Sequence, residues 1–148
     1  MRICTVRPLK AGDYKRWKNL FLDYSPEWKM TDRHLKHVWN LLMDQGSVLR
    51  GWIVARNKKS LPVGFAHCVL YPSTCRGWPI CYIHDLYVEP GSRRKGFGRA
   101  LLKELKIMGK RQKWRYIYWK TDRDNISAQK LYDGIVKRTD RIYYELRF

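Results

Sequence analysis

The chain reads as a mixed α/β fold, an α+β arrangement in which strands and helices share one core, and three observations point there. Apolar runs with strand character recur at 49–56, 62–71, 80–88 and 115–120. Segments with helical spacing of apolar residues stand between and around them. A Pro90-Gly91 turn and a glycine-bearing stretch then join the third of these runs directly to a helical pattern with Leu101, Leu105 and Met108 on one side. Strands alternating with helices in one short chain define the class.

Each element has its own signal. Residues 2–7 read as a first strand, closed by Pro8. Asp13 is placed to cap a helix whose Trp17, Leu20, Phe21 and Tyr24 fall at i, i+3, i+4 and i+7, before Ser25-Pro26 stops it. Thr31 or Asp32 starts a second helix with Leu35, Val38, Trp39 and Leu42 on one stripe, ended by Gly46. Strands follow at 49–56 and 62–71, turning near Asn57-Lys58-Lys59-Ser60. Residues 72–79, with two prolines and Gly77, form a loop. The run at 80–88 is apolar on both faces apart from His84 and Asp85, as a central buried strand is. A helix at 97–109, a strand at 115–120, a short helix capped by Asn125 and ended by Gly134, and a last strand at 140–147 complete the order.

The stretch Arg93-Arg94-Lys95-Gly96-Phe97-Gly98-Arg99 carries the strongest chemical signal. Glycines let backbone N–H groups approach an anion, and a helix start adds unpaired donors and the positive end of the helix dipole. Four cationic side chains surround those donors, so the turn predicts a ligand bearing a pyrophosphate. It does not fit the Walker loop, which needs Gly-Lys-Ser/Thr after four residues. Nor does it fit a Rossmann fingerprint, since Leu101 stands where a third small residue belongs.

Val88-Glu89-Pro90 followed by Arg93-Arg94-Lys95-Gly96-Phe97-Gly98 instead resembles the acyl-CoA loop of the GNAT superfamily of N-acetyltransferases. Downstream, Asn125-Ile126-Ser127-Ala128-Gln129-Lys130-Leu131-Tyr132 is similar to that family's Asn-x-x-Ala-x-x-Leu-Tyr helix. Together the two motifs cover about residues 80–134. Within the superfamily, Asp85-Leu86-Tyr87-Val88 and Tyr143-Tyr144-Glu145-Leu146 look closest to small-amine and polyamine acetyltransferases. The resemblance implies a single domain over 1–148 with a central, mostly antiparallel sheet of six to seven strands flanked by four helices. It also implies acetyl-CoA as co-substrate, direct transfer to an amine in a ternary complex, and a homodimer.

Carried onto this chain, the resemblance places the cofactor's amides against the backbone of Leu86, Tyr87 and Val88, where one N–H polarises the thioester carbonyl. It places the diphosphate on Arg93, Arg94, Lys95, Gly96, Phe97, Gly98 and Arg99, with Asn125 as a further contact or simply a helix cap. Tyr132 takes the slot of the tyrosine that protonates the leaving thiolate, a task open to a phenol that stays neutral at pH 7. The alternative for Tyr132 is an aromatic anchor of the last helix.

An acceptor amine with a lysine-like pKa costs about 4.6 kcal/mol to hold neutral at pH 7, so a base is needed. Some family members carry Glu-Asp at the position of His84-Asp85. Here His84 stands in the first slot, as either the base or a satisfied core histidine. Asp85 is a second catalytic candidate, or orients substrate. Strand alternation sends these neighbours to opposite faces, so only one should reach the acceptor cleft. Trp28, just past Pro26, is the aromatic side chain expected to touch substrate.

Composition bounds the rest. Of 148 residues 45% are hydrophobic, enough for one core, and no apolar run reaches membrane-span length. The start lacks a signal peptide's apolar stretch, so a cytoplasmic setting is expected. Cys4, Cys68, Cys75 and Cys81 have no CxxC spacing and read as free, buried thiols, Cys81 alone lying near the motifs. His34 and His37 read as a surface pair, and no metal is expected. The net charge is +18, with 17 basic against 6 acidic residues in 91–148. That surplus exceeds what one coenzyme needs. It sets up the competing reading of a basic module binding RNA or a partner, or else a solvated face such as the lysine-rich stretch 103–115.

Overall fold

The computed structural model describes residues 4–148. Its sheet is β1 (Thr5–Pro8), β2 (Leu49–Ala55), β3 (Pro62–Pro72), β4 (Pro79–Val88) and β5 (Ile117–Trp119), side by side in that order. The first four pair antiparallel and β5 joins β4 parallel. Helices α1 (Tyr14–Tyr24) and α2 (Asp32–Met43) cover one face, and α3 (Phe97–Arg111) covers the other. The short α4 (Ile126–Asp133) follows β5. The expected mixed α/β class and four flanking helices are as observed.

The two faces have separate cores. Trp17, Leu20 and Phe21 of α1 and Leu35, Trp39 and Leu42 of α2 close over Ile53, Phe65 and Tyr87. Leu101, Leu102 and Leu105 of α3 close over Val54, Ala66, Cys68, Cys81 and Ile83. Burial of the helices' apolar stripes supplies the main drive for this packing.

Local differences from the sequence reading have physical causes. Asp13 does not cap α1 with its side chain. Its carboxylate is taken by the Arg7 fork, at 2.7 and 2.8 Å, and by the Lys10 N–H. Thr31 does cap α2, its hydroxyl accepting from the His34 N–H. The last expected strand is absent among the described residues: 140–147 has no ladder, and the sheet has five strands. Side-chain ties run through that segment instead. Arg138 forks onto Asp133, Arg147 meets Glu145, and Lys120 sits 3.6 Å above the Tyr143 ring. Of the free cysteines Cys68 and Cys81 are buried as expected, whereas Cys75 is exposed.

Candidate active site

The turn between β4 and α3 leaves backbone donors unpaired at a helix start. Arg94 and Gly96 have φ of 59° and 83°, left-handed values that fold the chain back onto the helix start. No side chain caps α3, and its first internal closure is Ala100 N–H to the Gly96 carbonyl. The N–H groups of Gly96, Phe97, Gly98 and Arg99 therefore have no acceptor among the described residues. A Cβ on Gly96 would meet nothing within 4 Å, so no described atom crowds that side of the turn. Four unpaired donors at a helix N-terminus fit a diphosphate.

The surrounding cations are partly committed. The Arg93 Nε–H donates to the Val88 carbonyl, and its guanidinium lies 5.6 Å from the Tyr87 ring. Lys95 reaches the Gly91 carbonyl, and Arg99 reaches that of Gly134. Gly98 serves close packing, since a Cβ there would stand 3.1 Å from Leu131 of α4. Phe97 is buried and anchors the turn in the core.

Beside the turn, two strands part. The β4–β5 pairing ends at Ile83 opposite Trp119, so from His84 to Val88 that edge of β4 has no strand partner among the described residues. The side chains of Leu86 and Val88 pack on the α3 core and Tyr87 on the α1/α2 core. The edge that remains for a ligand is backbone.

One residue changes the geometry of β4. His67 of β3 pairs with Asp85, but the next pair is Cys68 with Ile83, so His84 is a bulge. Before it, the odd residues Cys81 and Ile83 face α3; after it, the even residues Leu86 and Val88 do. The expectation that alternation separates His84 from Asp85 is thereby overturned. The extra residue resets the period, and the two side chains meet, His84 Nδ1 lying 3.2 Å from Asp85 Oδ1.

Asp85 is buried while the His84 side chain is 54% exposed, so the pair spans from core to surface. Burial works against the charge of Asp85, but hydrogen bonds from His67 and His84 outweigh it and hold the carboxyl well below the usual range. The bond to Asp85 in turn raises His84 above the ordinary imidazole value, against burial and the nearby Lys120. A carboxylate on one ring nitrogen leaves Nε2 of the neutral ring as a lone pair, the arrangement an imidazole base requires.

Tyr132, on α4, is half-buried against Trp119 with ring centroids 5.3 Å apart, and burial pushes its phenol up. It is therefore a neutral hydroxyl, able to donate. Asn125 is the cap of α4, its Oδ1 accepting from the Ala128 N–H. Trp28 is 51% exposed and meets Tyr24 edge-on at 6.0 Å. Cys81 is wholly buried in the α3 core, where no substrate reaches it. A groove of about 1150 Å³ runs along β5 and the final segment, lined by Trp119, Tyr132, Arg138, Ile142 and Tyr143 among others. It is the space left where residues 140–147 do not pair with β5. Volume alone does not mark a candidate site; the free donors and the paired titratable groups mark this one.

The sequence reading missed His67, Tyr24 and Lys120. His67 is the only histidine, and no acidic or basic residue accompanies it, in an otherwise largely apolar strand, the same kind of signal that singled out His84 and Asp85. Tyr24 was visible only as one more helical aromatic, yet burial and the charge of Asp85 push its phenol upward, which places it against the site.

Known proteins share this plan. The profile of the acetyltransferase (GNAT) family matches residues 14–134. D-amino-acid N-acetyltransferase HPA3 of Saccharomyces cerevisiae is 26% identical over 142 residues, spanning 95% of this chain and 88% of the yeast protein. The crystal structure of a ribosomal-protein-alanine N-acetyltransferase from Brucella melitensis biovar Abortus superposes with a TM-score of 0.83 at 22% identity, covering 99% of this chain and all of the other. The aminoglycoside N-acetyltransferase AAC(6')-Iy, solved with a CoA-linked bisubstrate analogue, gives 0.78 at 21% identity over 98% and 99% of the two chains. With a family match across four-fifths of its length, and the donor turn and parted strands in place, the chain belongs to the GNAT acetyltransferase family of acyltransferases.

Proposed function

We propose that this protein moves the acetyl group of acetyl-CoA directly to a primary amine, of a small molecule or a protein, within a ternary complex, and that residues 1–148 act as one transferase domain. One juxtaposition carries the reading. The unpaired edge of β4 runs from the His84–Asp85 pair towards α3, whose first N–H groups are free.

Acetyl-CoA supplies the activated acyl group as a thioester. The N–H groups of Gly96, Phe97, Gly98 and Arg99 hold its diphosphate, with Arg94 and Lys95 adding charge, and the backbone of Leu86, Tyr87 and Val88 holds its amides. A main-chain N–H at Leu86 or Tyr87 draws electron density from the acyl oxygen. His84 Nε2 takes a proton from the acceptor ammonium, and Asp85 stabilises the imidazolium that forms. The Tyr132 hydroxyl gives a proton to the departing sulfur. Trp28 forms part of the acceptor wall. Asn125 supports the site by fixing the start of α4.

Free amino acids head the list of acceptors to assay. Lys120, just past the end of β5, meets no carboxylate among the described residues, and its charge is felt at His84. A cation there suits an acceptor that carries a carboxylate beside its amine, and the similar yeast protein is named for D-amino acids. The net charge of +18 points the same way, away from polycationic acceptors.

The test is free-thiol release from acetyl-CoA across a panel of amino acids, their decarboxylated amines, polyamines and lysine peptides. Amine-dependent release by any acceptor supports the reading. Release no faster than hydrolysis with every acceptor, alongside thermal stabilisation by RNA and not by acetyl-CoA, replaces it with a basic binding module. The homodimer and the cytoplasmic setting are proposed with it, and sedimentation checks the first. No described helix is long and apolar enough to cross a membrane.

A further inference from the structure

Behind the Asp85–His84 pair the hydrogen bonding continues into the core. The Trp17 indole N–H of α1 donates to His67 Nε2 at 2.8 Å, and His67 Nδ1 meets Asp85 Oδ2 at 2.8 Å. His67 is 2% exposed. The rings of Phe65, Phe21 and Trp17 stand 4.6, 5.0 and 6.0 Å from its own. Both ring nitrogens of His67 meet protein partners directly, so each atom's role follows from its neighbours.

An indole N–H can only donate. His67 Nε2 must therefore hold a lone pair, its single proton must lie on Nδ1, and that proton must be given to Asp85. The direction of every bond from Trp17 to Asp85 is fixed. Two histidines share one carboxylate here, and only one of them can be the cation that balances it. Trp17 occupies the nitrogen His67 would need in order to become that cation.

We propose that Trp17 and His67 are positioning residues that keep His67 neutral, hold Asp85 ionised with Oδ1 turned to His84, and so assign the one titrating proton of the site to His84. The inference rests on the reading of His84 as base. Facing the pair are Trp17 and Tyr24 from α1, His67 from β3, Tyr82 of β4 and Lys120 at the end of β5; only Lys120 adds a fixed charge.

Two substitutions move the acidic limb of the pH–kcat/KM profile in opposite directions. In Trp17→Phe, Nε2 of His67 is free to protonate, the resulting cation neutralises Asp85, and His84 loses its stabilisation. Its limb moves to lower pH, and kcat/KM at pH 6 changes with the KM for acetyl-CoA held. In His67→Leu, Asp85 loses a donor, becomes a stronger acceptor for His84 and moves the limb to higher pH. His67→Gln, which offers one donor and one acceptor and cannot protonate, restores the wild-type limb. We expect displacements on the order of half a pH unit, about a threefold change in rate on the limb.

A ¹⁵N spectrum of the folded protein reads the lock without catalysis. The expected result is His67 as the neutral Nδ1–H tautomer from pH 5 to 8. A protonated or Nε2–H His67 in that range overturns the proposal, as do limbs that stay in place while only the melting temperature falls. The base reading fails separately, if His84→Gln retains the wild-type limb.

Discussion

Replacing Gly96 by alanine separates the turn's backbone conformation from its role in binding. The new Cβ would meet nothing within 4 Å, so no clash arises in the free protein. The penalty is conformational: at φ 83° an L-residue is held in left-handed space, at about 1–2 kcal/mol. For a domain near 150 residues each kcal/mol lowers the melting temperature by roughly 2–4 °C. A drop of about 2–8 °C follows in scanning calorimetry. A residue that relaxes out of this φ also turns the unpaired N–H groups of Phe97, Gly98 and Arg99, on which the diphosphate is proposed to lie. Titration calorimetry with coenzyme A should therefore show Kd raised at least about tenfold, roughly 1.4 kcal/mol. Gly91→Ala, also facing open space but without a positive φ, should leave both quantities near wild type. A Gly96→Ala protein that melts early yet binds coenzyme A within twofold of wild type would refute the assignment of the turn.

Other consequences follow from the same geometry. Gly64→Ala puts a Cβ 2.4 Å from the Tyr87 carbonyl oxygen, and backbone must move. A loss of about 1–3 kcal/mol in urea unfolding is expected, with acetyl transfer falling as β4 shifts; unchanged stability would mean the β3–β4 contact is looser than described. Asp85 lies below its unfolded pKa, so its contribution to stability is present above about pH 4 and is lost as pH falls through its native value. His84 lies above its unfolded pKa, so its contribution is full below about pH 6.5 and fades as pH rises through its native value. Urea midpoints of wild type and Asp85→Asn between pH 3 and 8 check both slopes. Tyr132→Phe should lower kcat at least about tenfold with coenzyme A affinity unchanged, and an unaltered kcat would assign Tyr132 to packing alone.

What was legible in the chain was local. The turn at 93–99 announces itself because glycines, cations and a helix start fall within seven residues, and α4 because Asn125 and Gly134 bracket it. The bulge at His84 has no glycine or proline to mark it, so strict alternation put His84 and Asp85 on opposite faces. His67 meets Asp85 across 18 residues of sequence and Trp17 meets His67 across 50, distances that periodicity within one element does not reach. Residues 140–147 do alternate, with Ile142, Tyr144 and Leu146 on one side. Yet a strand needs an edge as well as a pattern, and these side chains remain exposed beside a three-residue β5.

The most direct test is the pH dependence of kcat/KM for the best amine acceptor in wild type and His84→Gln. In wild type the rate should rise with pH through a midpoint above 6.5, separate from the acceptor's own later deprotonation. In the variant that limb should vanish and the plateau fall by about a hundredfold or more, with coenzyme A binding intact. A variant that keeps the limb and the plateau would show that the exposed imidazole on the β4 bulge takes no proton from the amine.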